Sequence, residues 1–143
     1  SELRYNGYCA ALRENGIAFD RALVAETGGC FEMPESYTGM CRLIDSGADF
    51  SAVFTLSDTM AISAMKALED RGRRVPDDCS VIAIDGLTVS EYVSPTLTTL
   101  VQPAEEMGRE SVRILLDILD NGGANRHVRL EAKVRPGASV KQF

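Results

Sequence analysis

Asp85 closes a continuous apolar run, Val81-Ile-Ala-Ile84, and is followed at once by Gly86. A run with no polar alternation reads as a strand covered on both faces, as in a parallel sheet between helices. A carboxylate at the C-terminal end of such a strand enters the crevice where open α/β sheets bind small ligands. It can accept two hydroxyl hydrogen bonds there, which is the chemistry of polar recognition. The bland alternative for Asp85 is a cap on the turn at Thr88-Val-Ser90; the ligand contact is the favoured reading.

Four other residues join it as candidates. Arg4, near the start of a helix, is by itself read as solvated, although its planar fork suits sugar hydroxyls, carboxylates or phosphates. Phe31 follows two glycines and precedes Pro34. It is either a hydrophobic staple on the next helix or a flat platform for a sugar ring or purine. Ser57 and Asp58 stand where a strand gives way to a helix, and Asp58 reads as an N-cap before a ligand contact.

Catalytic constellations are missing. There is no Gly-x-Ser-x-Gly and no phosphate-cradling glycine loop after a strand. Cys30 could be a nucleophile, but the chain's one histidine, His127, lies beside a late edge strand. Asp58 and Asp85 could share a sheet edge as an acid–base pair, yet nothing else supports catalysis. The four cysteines show no C-x-x-C spacing, so zinc and thiol-redox chemistry are not expected, and no metal or cofactor is. Cys9 and Cys41 read as small core residues on helix faces.

These residues need a scaffold. The 143 residues amount to one domain, and 45% apolar content suffices for a real core. The net charge of −6 lacks the basic footprint of a nucleic-acid surface. Arg71, Arg73 and Arg74 cluster, but at a helix end where the dipole favours cations. No apolar run is long enough for a membrane span, and a reduced, cytoplasmic compartment fits the unpaired cysteines. The start at Ser1-Glu2-Leu3-Arg4 falls mid-pattern, as in a piece of something longer.

Helix and strand alternate. Tyr5, Tyr8, Cys9 and Leu12 share a face, predicting a helix from about Leu3 to Glu14, stopped by Asn15-Gly16. Ala22–Ala25 reads as a short buried strand, and Pro34 starts a helix carrying Tyr37, Met40, Cys41 and Ile44. Ala52–Leu56 is a strand. Ala61, Ala64, Met65 and Leu68 line the helix after Ser57-Asp58, which Gly72 closes. Strands at Ser80–Ile84 and Thr98–Val101 follow, with right-handed crossovers and a parallel sheet expected. A helix over Ala104–Leu119 is apolar round more of its circumference than one sheet face needs, which calls for a second partner. Val128–Val134 alternates with period two, as in an edge strand with one wet face.

The segments Arg4-Tyr-Asn-Gly-Tyr8, Phe54-Thr-Leu-Ser-Asp58-Thr-Met-Ala61, Val75-Pro-Asp-Asp-Cys-Ser-Val-Ile-Ala-Ile-Asp85 and Pro95-Thr-Leu-Thr-Thr99 through Gln102-Pro103 stand in order. Gly108-Arg-Glu-Ser-Val-Arg-Ile-Leu-Leu116 and Val134-Arg-Pro-Gly-Ala-Ser139 follow. Together they resemble the effector-binding region of LacI/GalR-type bacterial transcription regulators, over nearly the whole chain. The resemblance implies a mostly parallel α/β sheet flanked by helices, one lobe of a periplasmic-binding-protein-like fold. Residues 1–102 would form the core lobe, and residues 103–143 a crossover helix and terminal strand, with no DNA-binding headpiece.

It also implies that a small effector, a carbohydrate, lies in an interlobe cleft and modulates DNA binding by a headpiece outside this chain. Asp85 matches the family's hydroxyl-holding acid, Arg4 its effector-contacting arginine and Phe31 its aromatic platform. Ser57 matches a position often held by a ligand-contacting asparagine. Gln102, at the lobe crossover, is a contact or hinge residue. The family often has a second aspartate where this chain has Gly86, which leaves the mode of acceptance open. A homodimer or swapped oligomer is expected through the Ala104–Leu119 helix. The rival is a solute-binding component of a sugar transporter, which shares the two-lobed architecture.

Overall fold

A computed structural model describes residues 2–28 and 32–142. Four strands form one sheet in the order β1-β2-β3-β4. β1 (Ala52–Phe54), β2 (Ser80–Asp85) and β3 (Thr98–Val101) are parallel, and β4 (Lys133–Arg135) runs antiparallel to β3. The parallel register sets Phe54 beside Ile82, and Asp85 beside Val101. The C-terminal ends of three strands therefore share one rim.

Helices α2 (Met33–Asp45) and α3 (Asp58–Asp70) pack together and supply most of the core. Pro34 opens α2 as expected, and Ser57 caps α3 by accepting from the Met60 amide at 3.2 Å. Ala61, Ala64, Met65 and Leu68 are all buried, joined by Met40, Cys41, Val81, Ala83 and Leu97. The small alanines let α3 lie close on β2. Three arginines lock the ends of these helices. Arg71 holds Asp45 through two nitrogens at 3.0 and 2.9 Å, Arg73 stacks 4.2 Å over Phe50, and Arg74 grips Asp78. Directed ion pairs thus accompany the dipole effect expected of that cluster. Ser139 plugs the far end of the sheet, donating to the Val81 carbonyl at 2.6 Å and accepting from the Thr98 amide at 2.8 Å.

Three expectations change. Ala22–Ala25 is not a sheet strand: Asp20 accepts from the Ala22 amide at 2.8 Å and winds Arg21–Leu23 into a 3-10 turn. Val24 is extended but joins no strand, because the sheet ends at the short β1. The last strand is Lys133–Arg135 rather than Val128–Val134. Val101 pairs with Lys133, so residues before Lys133 run past the point where β3 meets Pro103, which has no N–H to offer. Finally, β2 is tightly covered on one face only. Val81 and Ala83 are buried, whereas Ile82 and Ile84 are half-buried.

The loosely covered side belongs to α1 (Glu2–Glu14), which buries no residue completely. A cavity of about 1010 Å³ separates it from the sheet, lined by Tyr5, Tyr8, Leu12, Met40, Phe54 and Ile82. Tyr8 stacks on Phe54 with ring centroids 6.1 Å apart. The final helix, α4 (Ala104–Asn121), ends at Gly122 with φ 65° and also has no buried residue. Its Met107, Val112, Leu115, Leu116 and Leu119 are exposed, so the wide apolar arc read from the sequence is uncovered in this chain.

The Arg74–Asp78 pair carries a pH prediction. Hydrogen bonds from the Arg74 side chain and backbone hold the Asp78 carboxyl down to about 2. A depressed carboxyl contributes stability above its ordinary value, and loses it as pH falls toward the folded value. Asp78→Asn should therefore lower the unfolding midpoint near neutrality, with the deficit vanishing between about pH 4 and about pH 2. Thermal melts of both chains across that window check this, and a deficit independent of pH would contradict it.

Candidate functional site

The shared rim gathers side chains from four separate segments. Asp85 ends β2, Gln102 follows β3, Leu56 follows β1, and Arg4 reaches in from the first turn of α1. Arg4 divides its fork: one terminal nitrogen donates to the Leu56 carbonyl, the other to Asp85 Oδ1 at 3.1 Å. Gln102 Nε2 donates to the same Oδ1 at 2.6 Å. The Gln102 amide adds a backbone bond to the Asp85 carbonyl at 3.3 Å. Two donors thus converge on one carboxylate oxygen, while Oδ2 receives none from the described residues.

The pair is neither buried nor fully solvated. The Arg4 and Asp85 side chains keep 31% and 24% of their exposure. Enough contact with solvent remains for a ligand to reach them, yet screening is weaker than on an open surface. A hydroxyl arriving at Asp85 Oδ2 would find an acceptor already oriented, and Arg4 offers donors beside it.

The backbone under Asp85 is unusual. Asp85 has φ 140°, the one positive φ at a non-glycine position among the described residues. Such a conformation costs ~1–3 kcal/mol and persists where surrounding structure dictates it. Gly86 follows with φ 77°, and a Cβ there would stand 2.7 Å from Val101 Cα. A side chain at position 86 therefore has no room on this backbone, and a second aspartate after Asp85 would require Val101 or the chain to shift.

Arg4, Asp85 and Gln102 come together as one cluster. Ser57 is buried, with its hydroxyl spent on capping α3. The cap is Ser57 rather than Asp58, because Asp58 is already the first residue of the helix. Asp58 is 0% exposed, and both its oxygens are taken within the fold: one by the Leu87 amide at 2.6 Å, the other by the Thr99 hydroxyl. It faces the interior instead of the rim. Phe31 lies outside the described residues.

Sequence reading passed over two participants. Thr99, which the sequence places only within the Thr98–Val101 strand, donates to Asp58 and through the same Oγ1 accepts from the Gly86 amide at 3.3 Å. The pairing of Thr99 beside Ala83 was legible in principle from the strand register. The Leu56 carbonyl carries no side-chain signal at all. Among the described residues no cluster of three or more His, Cys, Asp or Glu could hold a metal ion, and no helix is long and apolar enough to cross a membrane.

Known proteins resemble this chain in sequence and in fold. A family model for a periplasmic binding protein-like domain matches residues 1–140. The chain is 37% identical over 131 residues to the HTH-type transcriptional regulator MalR of Clostridium butyricum, covering 92% of this chain and 38% of that protein. It is 39% identical over 127 residues to CelR of Thermobifida fusca, covering 89% and 36%. A solved CelR–cellobiose complex superposes with a TM-score of 0.86 at 38% identity, over 95% of this chain and 41% of that one. A LacI-type transcription regulator from Bifidobacterium animalis subsp. lactis gives 0.91 at 29% identity, over 99% and 50%. The chain spans less than half the length of the curated relatives it matches. Those relatives are regulators, which favours a regulator over a transporter component. With its fold, its ordered motifs and its matched span in agreement, the chain belongs to the periplasmic binding protein-like domain family, as the C-terminal effector-binding region of LacI-type regulators.

Proposed function

We propose that this chain is one sensing lobe of a LacI-type transcription regulator, with a carbohydrate as effector. The observation that carries the reading is the convergence of Arg4 and Gln102 on one oxygen of Asp85, at a shared strand rim, with the other oxygen open. The effector sits between this lobe and a second lobe in the longer protein. Asp85 accepts its hydroxyls, Arg4 donates to its oxygens, and Gln102 orients the acid. Phe31 covers an apolar face of the sugar, and Ser57 borders the same edge. The CelR relative was solved with cellobiose, which supports a saccharide as the ligand class.

Residues 1–102 form the lobe, and residues 103–143 cross back toward its partner. Operator DNA is bound by a headpiece outside this chain, in the cytoplasm, and the chain performs no catalysis of its own. The effector acts by binding the closed arrangement of lobes more tightly than the open one, a coupling worth ~1–3 kcal/mol in comparable systems.

Asp85→Ala in the complete protein should weaken the effector by the value of a hydrogen bond to a charged group, ~1.5–3 kcal/mol or roughly 10- to 150-fold. Calorimetric titration against a saccharide panel measures it, and unchanged affinity for the best-binding sugar would remove Asp85 from the site.

The uncovered face of α4 is the surface for a partner lobe or a second copy, giving a homodimer or a swapped oligomer. This chain alone should therefore self-associate in sedimentation, and Leu115→Glu with Leu116→Glu should return it to monomer. A compact monomer at high concentration, binding no exposed-patch dye, would refute this.

A further inference from the structure

Asp58 is an expensive residue to bury. Its carboxyl group is wholly removed from solvent, and no ion pair with a lysine or arginine is formed by it among the described residues. Burying such a group is unfavourable unless its oxygens are fully satisfied. Its cost has no return in helix capping, since the Ser57 hydroxyl already caps α3. What the two oxygens do is reach across to other elements. One accepts from the Leu87 amide at 2.6 Å, and the other from the Thr99 hydroxyl of β3. The Thr99 oxygen in turn accepts from the Gly86 amide at 3.3 Å.

The two amides held in this way are consecutive, and they directly follow Asp85. Gly86 is further confined by Val101, which leaves no space for a Cβ. Asp85 itself keeps φ 140°. A strained residue stays in place only if the chain on either side of it is pinned. On one side the β2 ladder pins it, through the pairing of Ile84 with Leu100 and of Asp85 with Val101. On the other side the Asp58–Thr99 relay is the anchor.

We propose that Asp58, acting with Thr99, is the positioning residue that clamps the Gly86–Leu87 segment and so holds the Asp85 carboxylate at the rim. This rests on the reading of Asp85 as the effector's acceptor, and extends it from the contact to what orients the contact. Asp58 touches no ligand. It sets the direction of the acid that does, by fixing the two peptide groups after it.

The test begins with ligand-free complete protein. Asp58→Asn keeps the size of the side chain but puts a donor where one of two acceptors stood. Thr99→Val cuts the relay in the middle, and serves if Asp58→Asn does not fold. Thr99→Ser retains the hydroxyl and is the conservative control. Amide hydrogen exchange should quicken by about tenfold or more at Leu87 in Asp58→Asn, the scale of one lost hydrogen bond to a charged group, and by several-fold at Gly86 in Thr99→Val, where the lost acceptor is a neutral hydroxyl, while both amides stay near wild type in Thr99→Ser. Protection at Val81 and Ala83 should be retained, and crystal structures should show Asp85 released from Gln102. Equal acceleration at Val81 and Ala83 would reveal a merely structural role, and an unmoved Asp85 would overturn the proposal.

Titration with cellobiose, glucose and ribose separates the two claims. A displaced Asp85 with a matching loss of sugar affinity supports both. A displaced Asp85 with sugar affinity unchanged upholds the positioning role and rejects the effector reading.

Discussion

One carboxylate must be kept at the mouth of a parallel sheet, partly open to water, without folding back or being neutralised by its neighbours. The rest of the architecture serves that constraint. Three parallel strands end together, so Asp85, Gln102 and the Leu56 carbonyl emerge at the same level. Arg4 compensates the charge, but through one oxygen only, and it spends its other nitrogen on the Leu56 carbonyl. The ion pair is therefore shared with the backbone and leaves acceptor capacity for a guest. A bidentate Arg–carboxylate fork would have saturated the acid.

Much of this was readable in the chain itself. The apolar run ending at an acid announced β2 and its rim, and Thr98–Val101 is found where expected. Periodicity located α2, α3 and α4 within a few residues, because glycines and prolines mark their ends. The misses share a cause. Ala22–Ala25 and Val128–Val134 have strand patterns, but a strand exists only if a neighbour offers an edge. Local pattern holds no information on whether β1 or β3 extends far enough to meet them.

The site was legible in its main actors and illegible in its wiring. Arg4 and Asp85 are 81 residues apart along the chain, and only the family resemblance brought them together beforehand. Asp58 looked like a helix cap because Asp before a helix usually is one. Its long-range bonds to Leu87 and Thr99 depend on the third dimension. The two helices without buried residues, α1 and α4, are where this chain is least self-sufficient. α1 carries Arg4, and α4 shows its apolar arc to solvent. The proposed contact and the apolar arc thus both lie on elements whose packing is left unfinished by this lobe.

The central claim is that the free oxygen of Asp85 receives the effector. A crystal structure of the complete protein with its tightest-binding saccharide tests that most directly. Hydroxyl oxygens of the sugar are expected about 2.6–2.9 Å from the Asp85 carboxylate, with an Arg4 nitrogen in reach of the same ring. A sugar seated elsewhere, with the Asp85–Arg4–Gln102 cluster unchanged and untouched, would contradict the account.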